Sequence, residues 1–219
     1  ITFGEKSGGS LGMRLQTFCE SSYEFHTLID PIATFCYQPV TKQPEIKIIP
    51  GEPHRFVGIA PTICRVGESF NLRLKGEDIW GNPSDQCTQT FLVKSNVDII
   101  NLPSSITFKK GDFYYLISDL SVSKESDFYI EFVDSNNNSV FQTNPTRARK
   151  NPDFRYFWAD LHGQSEETIG TGSAEQYFKF ARDLAFVDAT SHQGNDFQIT
   201  DHFWKELNRI TKNYNQDGE

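Results

Sequence analysis

Between residues 53 and 146 the chain alternates apolar and polar side chains, and that alternation restricts its fold more than any other feature. In SFNLRLKGED, Phe70, Leu72 and Leu74 fall on one side of an extended backbone, because successive strand side chains point to opposite faces. TFLVKS, SITF, FYYLISDLSV and DFYIEFVD follow, the last with Phe128, Ile130 and Phe132 on one face. Turn-forming stretches separate them: WGNPSD, KKGD and DSNNNS. About seven short strands over roughly ninety residues predict a β-sandwich.

Within that region GESFNLRLKGEDIWGNPSD resembles bacterial immunoglobulin-like modules, in which a strand leads into an acidic D-x-W/F-G-N turn. Asp78, Asp85, Asp112, Asp119 and Asp134 form no D-x-D-x-D run, so they read as turn-forming acids, not calcium ligands. Residues 1–52 are irregular, with two prolines in CESSYEFHTLIDPIATFCYQPV, and read as an arm packed on its neighbours. Cys19, Cys36, Cys64 and Cys87 contain no C-x-x-C pair and read as free, buried thiols; as four cysteines they permit three pairings.

The net charge of −8 argues against a general binder of nucleic acid or anionic membrane, which needs clustered Lys and Arg. No stretch approaches the ~20 apolar residues of a membrane-spanning helix. ITFGEKSGGS has no basic start, apolar middle or cleavage site, so no secretory signal is expected, and the compartment stays open. It also lacks an initiating Met, so the chain reads as a piece of something longer.

From residue 153 to 219 the period changes. FRYFWADL has the length of a buried strand, and SAEQYFKFARDLA places Ala174, Tyr177, Phe178, Ala181 and Leu184 on one helical stripe. Ser173 and Gln176 have the spacing of a capping box. FVDAT reads as a second buried strand, and DHFWKELNRITKNYN as a helix with Phe203, Leu207, Ile210 and Tyr214 on one side, capped by Thr200 or Asp201. Strand, helix, strand, helix with short links is a parallel α/β pattern. The expected architecture is therefore an immunoglobulin-like β-sandwich at 53–146, followed by the first two βα units of a truncated α/β barrel. Further barrel repeats, or a second copy of the chain, would cover its apolar faces.

Each predicted parallel strand runs into a histidine. Asp160 and His162 stand two residues apart, so they and Gln164 share a face of an extended segment. That face meets the carboxyl edge of the sheet, where α/β folds gather their sites. An acid oxygen and an imidazole nitrogen at this spacing suit a divalent cation. His192 follows the second strand, with Asn195 and Asp196 in the same loop. The candidate metal ligands are Asp160, His162, His192 and Asp196. Candidate substrate or supporting residues are Gln164, Glu166, Glu167, Gly170, Thr171, Gly172, Asn195 and His202. TIGTGS meets a helix start, where free N–H groups favour an anion. No G-x-S-x-G turn is present, and Ser165 and Ser173 read as loop and cap residues.

ADLHGQS resembles the first motif, D-L-H-x-H–T/S, of the polymerase-and-histidinol-phosphatase (PHP) superfamily, and FVDATSHQGND is similar to its second, T-D-H–G. The order of segments from the arm to TDHFWKEL resembles a large bacterial family with a PHP-like domain behind a β-rich region. The resemblance implies a metal-dependent hydrolase, usually a phosphoesterase, with divalent Zn, Mn or Fe and a small or phosphorylated substrate. It makes His162 and His192 ligands, and Asp160 a ligand or its orienter. Gln164 stands where the superfamily has a second histidine, and Ser191 where it has an aspartate. The later ligand motifs are absent from the sequence, so this piece alone is expected to be inactive. The competing expectation is a non-enzymatic binding protein whose sandwich recognises a glycan or protein partner.

Overall fold

A computed structural model describes residues 4–215. The first three residues and the last four, including most of the terminal NQDGE, lie outside the described residues, as does what was read from them. The arm forms two small antiparallel pairs. β1 (Glu20–Glu24) pairs with β4 (Glu45–Ile48), and β2 (Leu28–Ile29) pairs with β3 (Gln38–Pro39).

The alternating region folds as an immunoglobulin-like β-sandwich. β5 (Arg55–Ile59), β7 (Phe70–Glu77) and β10 (Tyr115–Leu120) make one sheet in the order β10-β7-β5. The facing sheet runs β13-β12-β8-β9, from β8 (Thr90–Ser95), β9 (Ser105–Thr107), β12 (Ile130–Val133) and β13 (Ser139–Gln142). β6 (Ile63–Arg65) crosses over to lie parallel to β14 (Thr146–Arg149), which also pairs with β11 (Ser126–Phe128). The sandwich therefore runs to Arg149, a few residues past the boundary expected at 146.

Phe70, Leu72 and Leu74 meet Phe128, Ile130 and Phe132 in the core, all six buried. Aromatic packing fills the centre: Phe132 and Phe141 stack with ring centroids 4.4 Å apart, and Phe91 meets Phe141 edge-on at 5.3 Å. In the D-x-W-G-N turn, Asp78 accepts hydrogen bonds from Trp80 N at 2.9 Å, Asn82 N at 3.0 Å and Gly51 N at 3.1 Å. Burial works to raise its pKa, but the bonds from Asn82, Gly51 and Trp80 outweigh that and hold the carboxyl below its usual range. Asn82 then donates to Thr17 O at 2.8 Å and accepts from Cys19 N at 3.1 Å, fastening the arm to the sandwich. All four thiols are free, but the expectation that they are buried holds only for Cys64 and Cys87; Cys36 is exposed and Cys19 half-buried.

The C-terminal unit holds β15 (Ala159–Gly163), α1 (Ala174–Phe180), a π-helical turn over Ala181–Ala185, β16 (Ala189–His192) and α2 (Asp201–Tyr214). Its helices follow the predicted stripes. Ala174 and Phe178 pack against Phe203, Leu207 and Ile210, and the Ser173–Gln176 capping box is formed. Thr200, not Asp201, caps α2.

The expected βα units of an α/β barrel are corrected. The described residues are mostly β, sixteen strands against two α-helices, and the only strand pairing in this unit joins β15 to β16 as an isolated two-stranded sheet. FRYFWADL is not a buried strand: Phe154, Tyr156, Phe157 and Trp158 are exposed, and the strand begins only at Ala159. Apolar composition here marks a connector lying over the sandwich, a case that a short apolar run cannot distinguish from a buried strand.

The connection between the two units runs through Lys75 of β7. Its buried Nζ donates to Leu184 O at 2.6 Å, at the end of the π-helical turn, and lies 3.0 Å from Glu77 Oε1. It also sits 5.2 Å from the ring centre of Phe186. A charge-assisted hydrogen bond contributes roughly 1.5–3 kcal/mol. Lys75→Met should therefore raise amide hydrogen exchange across residues 181–187 about tenfold or more while leaving the β7–β12 core protected; unchanged exchange there would contradict this coupling.

Candidate functional site

β15 and β16 begin in step, Ala159 opposite Ala189 and Asp160 opposite Thr190. Continued without interruption, that register would set His162 opposite His192. A bulge intervenes, and Gly163 takes the place opposite His192. One extra residue exchanges the faces of all that follow. Asp160 spans the distortion, its Oδ1 accepting the backbone N–H of His162 at 3.0 Å. Gly163, not His162, thus shares the level of His192. The expectation that the two imidazoles converge is corrected by this single-residue shift. The exposed His162 ring instead places Nδ1 3.0 Å from Gln193 Oε1.

Tyr177 of α1 explains the glycine. A Cβ at Gly163 would come within 2.0 Å of Tyr177 Cζ. The Tyr177 hydroxyl shares its one hydrogen between Thr190 Oγ1 and, at 3.0 Å, Ser191 O. Thr190 Oγ1 donates in turn to Asp160 O at 2.8 Å, and Ser191 Oγ to Leu161 O at 3.0 Å. Side-chain hydroxyls thus stitch across the strands where the bulge interrupts the backbone ladder.

His192 lies between two rings, with centroids 6.0 Å from Tyr177 and 5.7 Å from Phe203. Its Nε2 is 2.7 Å from Ser165 Oγ, and that buried hydroxyl donates to Glu167 Oε2 at 2.5 Å. An ionised carboxylate can only accept, and a hydroxyl has one hydrogen to give. Nε2 must therefore carry the imidazole proton, which leaves Nδ1 as the acceptor. Nδ1 is enclosed and has no partner among the described residues; the same holds for Gln164 Oε1. Burial pushes the His192 pKa below its ordinary value, with the Glu167 charge opposing, so the ring is neutral at pH 7.

Ser165 is the residue that sequence reasoning passed over as loop. Its two-residue spacing to Glu167 was the available signal. Full burial and a committed hydrogen make it a link between Glu167 and His192, not a nucleophile.

The remaining candidates lie elsewhere. Asp196 is exposed, with Oδ1 accepting from Phe197 N at 2.8 Å. Asn195 Nδ2 donates to Gln198 Oε1 at 2.7 Å. Glu166, Thr171 and His202 are exposed. Gly170 N donates to Ser165 O at 2.8 Å, and a Cβ there would meet Gln164 O at 2.6 Å, so this glycine keeps the loop tight around Ser165. Gly172 O accepts from Glu166 N at 2.8 Å. At the anion seat read from TIGTGS, the capping box engages the N–H groups of Ser173 and Gln176. Among the described residues no three His, Cys, Asp or Glu side chains are placed to hold a metal ion. Asp160, His162, His192 and Asp196 therefore do not form one donor set. Nor, among these residues, is any helix long and apolar enough to cross a membrane.

No protein-family model matches the sequence, and no curated protein is similar to it. Among solved structures, a glycosyl hydrolase family 2 member from Bacteroides cellulosilyticus aligns with 60% of this chain at 10% identity and a TM-score of 0.40. The alignment spans 22% of that hydrolase. The D0–D1 domain of intimin aligns with 50% of this chain and 56% of its own length, at 10% identity and a TM-score of 0.32. The D00–D0 domain of intimin aligns with 62% of this chain and 88% of its own length, at 7% identity and a TM-score of 0.34. Likeness this distant carries no argument about activity.

Two expectations follow for the site. Gly163→Ala forces Tyr177 off the strand, and overpacking of this kind costs about 1–3 kcal/mol; urea unfolding followed by far-ultraviolet circular dichroism should show that loss. The second concerns pH. The folded state holds His192 below its ordinary 6.5, so the unfolded chain binds more protons in the interval beneath that value. The stability this provides is complete above 6.5 and is lost as pH falls toward the folded value. Thermal midpoints should drop between pH 7 and pH 5, and His192→Gln should flatten that slope.

Proposed function

We propose that the carboxyl edge of β15 and β16 is part of a metal-dependent hydrolytic site of phosphoesterase type, with His192 as its central ligand. The observation that carries this reading is the Glu167–Ser165–His192 chain. Proteins that bind a metal through imidazole commonly fix the ring by hydrogen-bonding its other N–H to an acceptor backed by a carboxylate. Here that bond selects the tautomer whose Nδ1 lone pair is free, and no donor meets it among the described residues.

A divalent Zn, Mn or Fe ion would be held by His192 Nδ1, with Gln164 Oε1 the other buried acceptor lacking a donor. When bound, such an ion supplies an acidified water for attack on a phosphoryl centre. The chain's own contribution is orientation. Tyr177 and Phe203 flank the imidazole, and Glu167 offsets positive charge on it through Ser165. Catalytic zinc sites use about three protein ligands, so two donor atoms predict weak binding and no turnover by this chain alone.

Equilibrium dialysis with elemental analysis tests the assignment. Wild-type chain should take up zinc or manganese at one site, and His192→Ala should weaken that uptake at least tenfold. Loss of the orienting hydroxyl in Ser165→Ala should weaken it about tenfold to a hundredfold. His162→Ala should leave it unchanged. Equal uptake by wild type and His192→Ala overturns the reading, as does the absence of saturable uptake by wild type.

A further inference from the structure

The connector between the sandwich and the C-terminal unit lines a cleft of about 560 Å³, within the range of small-ligand pockets. Tyr156, Phe157 and Trp158 face it with 59%, 69% and 64% of their surface exposed. Three adjacent exposed rings form the kind of apolar patch that marks a binding surface.

Trp158 is fixed at both ends. Its indole Nε1 donates to Thr62 Oγ1 at 3.2 Å, and its backbone N donates to Asp188 Oδ2 at 2.7 Å. Its backbone O accepts from Asp188 N at 2.8 Å. A flat ring held in this way is a preorganised platform, which lowers the ordering cost of binding.

The cleft is not apolar throughout. Asp127 and Arg147 also line it. Asp127 is ion-paired to Arg149 at 2.7 Å, whereas the Arg147 guanidinium has no partner among the described residues. Thr62 accepts the indole proton and keeps its own hydrogen to donate.

We infer that this cleft binds a short saccharide carrying a carboxylate. The C–H face of a sugar ring suits an aromatic platform, and its hydroxyl edge needs the mixed donors and acceptors that Thr62, Asp127 and Arg147 supply. The unpaired guanidinium matches a carboxylate with two parallel hydrogen bonds. A polyphosphate or nucleic-acid ligand is disfavoured, because Arg147 is the one cation among the residues lining the cleft, in a chain of net charge −8. The inference is independent of the His192 site.

Isothermal titration of the full chain with a galacturonic-acid trisaccharide and with a neutral glucose trisaccharide tests it. The acidic sugar should bind saturably with a Kd below the millimolar range, and at least fivefold tighter than the neutral one. Trp158→Ala and Tyr156→Ala should each weaken it tenfold or more, with folding checked by circular dichroism. Arg147→Gln should erase the preference for the acidic sugar while leaving residual binding. Absence of saturable heat from the acidic sugar, equal affinity for the two sugars, or binding untouched by both aromatic substitutions overturns the proposal. A wild-type dimer that Trp158→Ala dissociates would assign the cleft to a second copy of the chain and overturn it equally.

Discussion

A lysine buried in the face of a β-sandwich must find partners for its N–H groups, and Lys75 finds them in both halves of the molecule. Glu77, itself paired with Arg55 opposite it across β7 and β5, holds the charge from the sandwich side. Leu184 O receives it from the other side, at the end of the turn that leads from α1 toward β16. The desolvation of a buried ion pair commonly offsets its attraction, so the pair's contribution is better read as placement than as net stability. The π-helical turn brings Leu184 to that ammonium, and Phe186 follows in a left-handed conformation with φ 62° and turns the chain into β16. The turn that leads into β16 is therefore held by a residue more than a hundred positions earlier in sequence.

The histidine edge depends on a second constraint, the bulge in β15. An uninterrupted register would make the two imidazoles neighbours. The bulge brings Asp160 Oδ1 to the backbone N–H of His162 and leaves the His162 ring to Gln193. It also brings bare backbone under the Tyr177 ring, which frees that hydroxyl to bind β16. The polar groups of the edge thus divide into a chain through buried Ser165 that joins His192 to exposed Glu167, and an exposed pair around His162.

Much of this was legible in the sequence. Alternation located the sandwich strands and gave the core faces of Phe70, Leu72, Leu74, Phe128, Ile130 and Phe132, because a period of two has one structural meaning when polar residues intervene. Helical spacing located α1 and α2, and the capping box was readable from Ser173 and Gln176. FRYFWADL misled because only Arg155 and Asp160 interrupt its aromatic run, and length made it a strand. The pairing of histidines misled for a different reason. A bulge is set by local backbone bonding, here from Asp160, and composition does not report it. Ser165 escaped notice because its importance comes from burial against residues far away in sequence.

The four unpaired cysteines carry a practical consequence. Burial pushes the Cys64 thiol up to about 11 and raises that of Cys87, so both stay protonated and shielded inside the sandwich. Alkylating reagents attack thiolate, and only exposed sulfur is within their reach. Cys36, on the exposed surface of the arm, is then the natural attachment point for a fluorophore or spin label, one that leaves the sandwich interior chemically untouched.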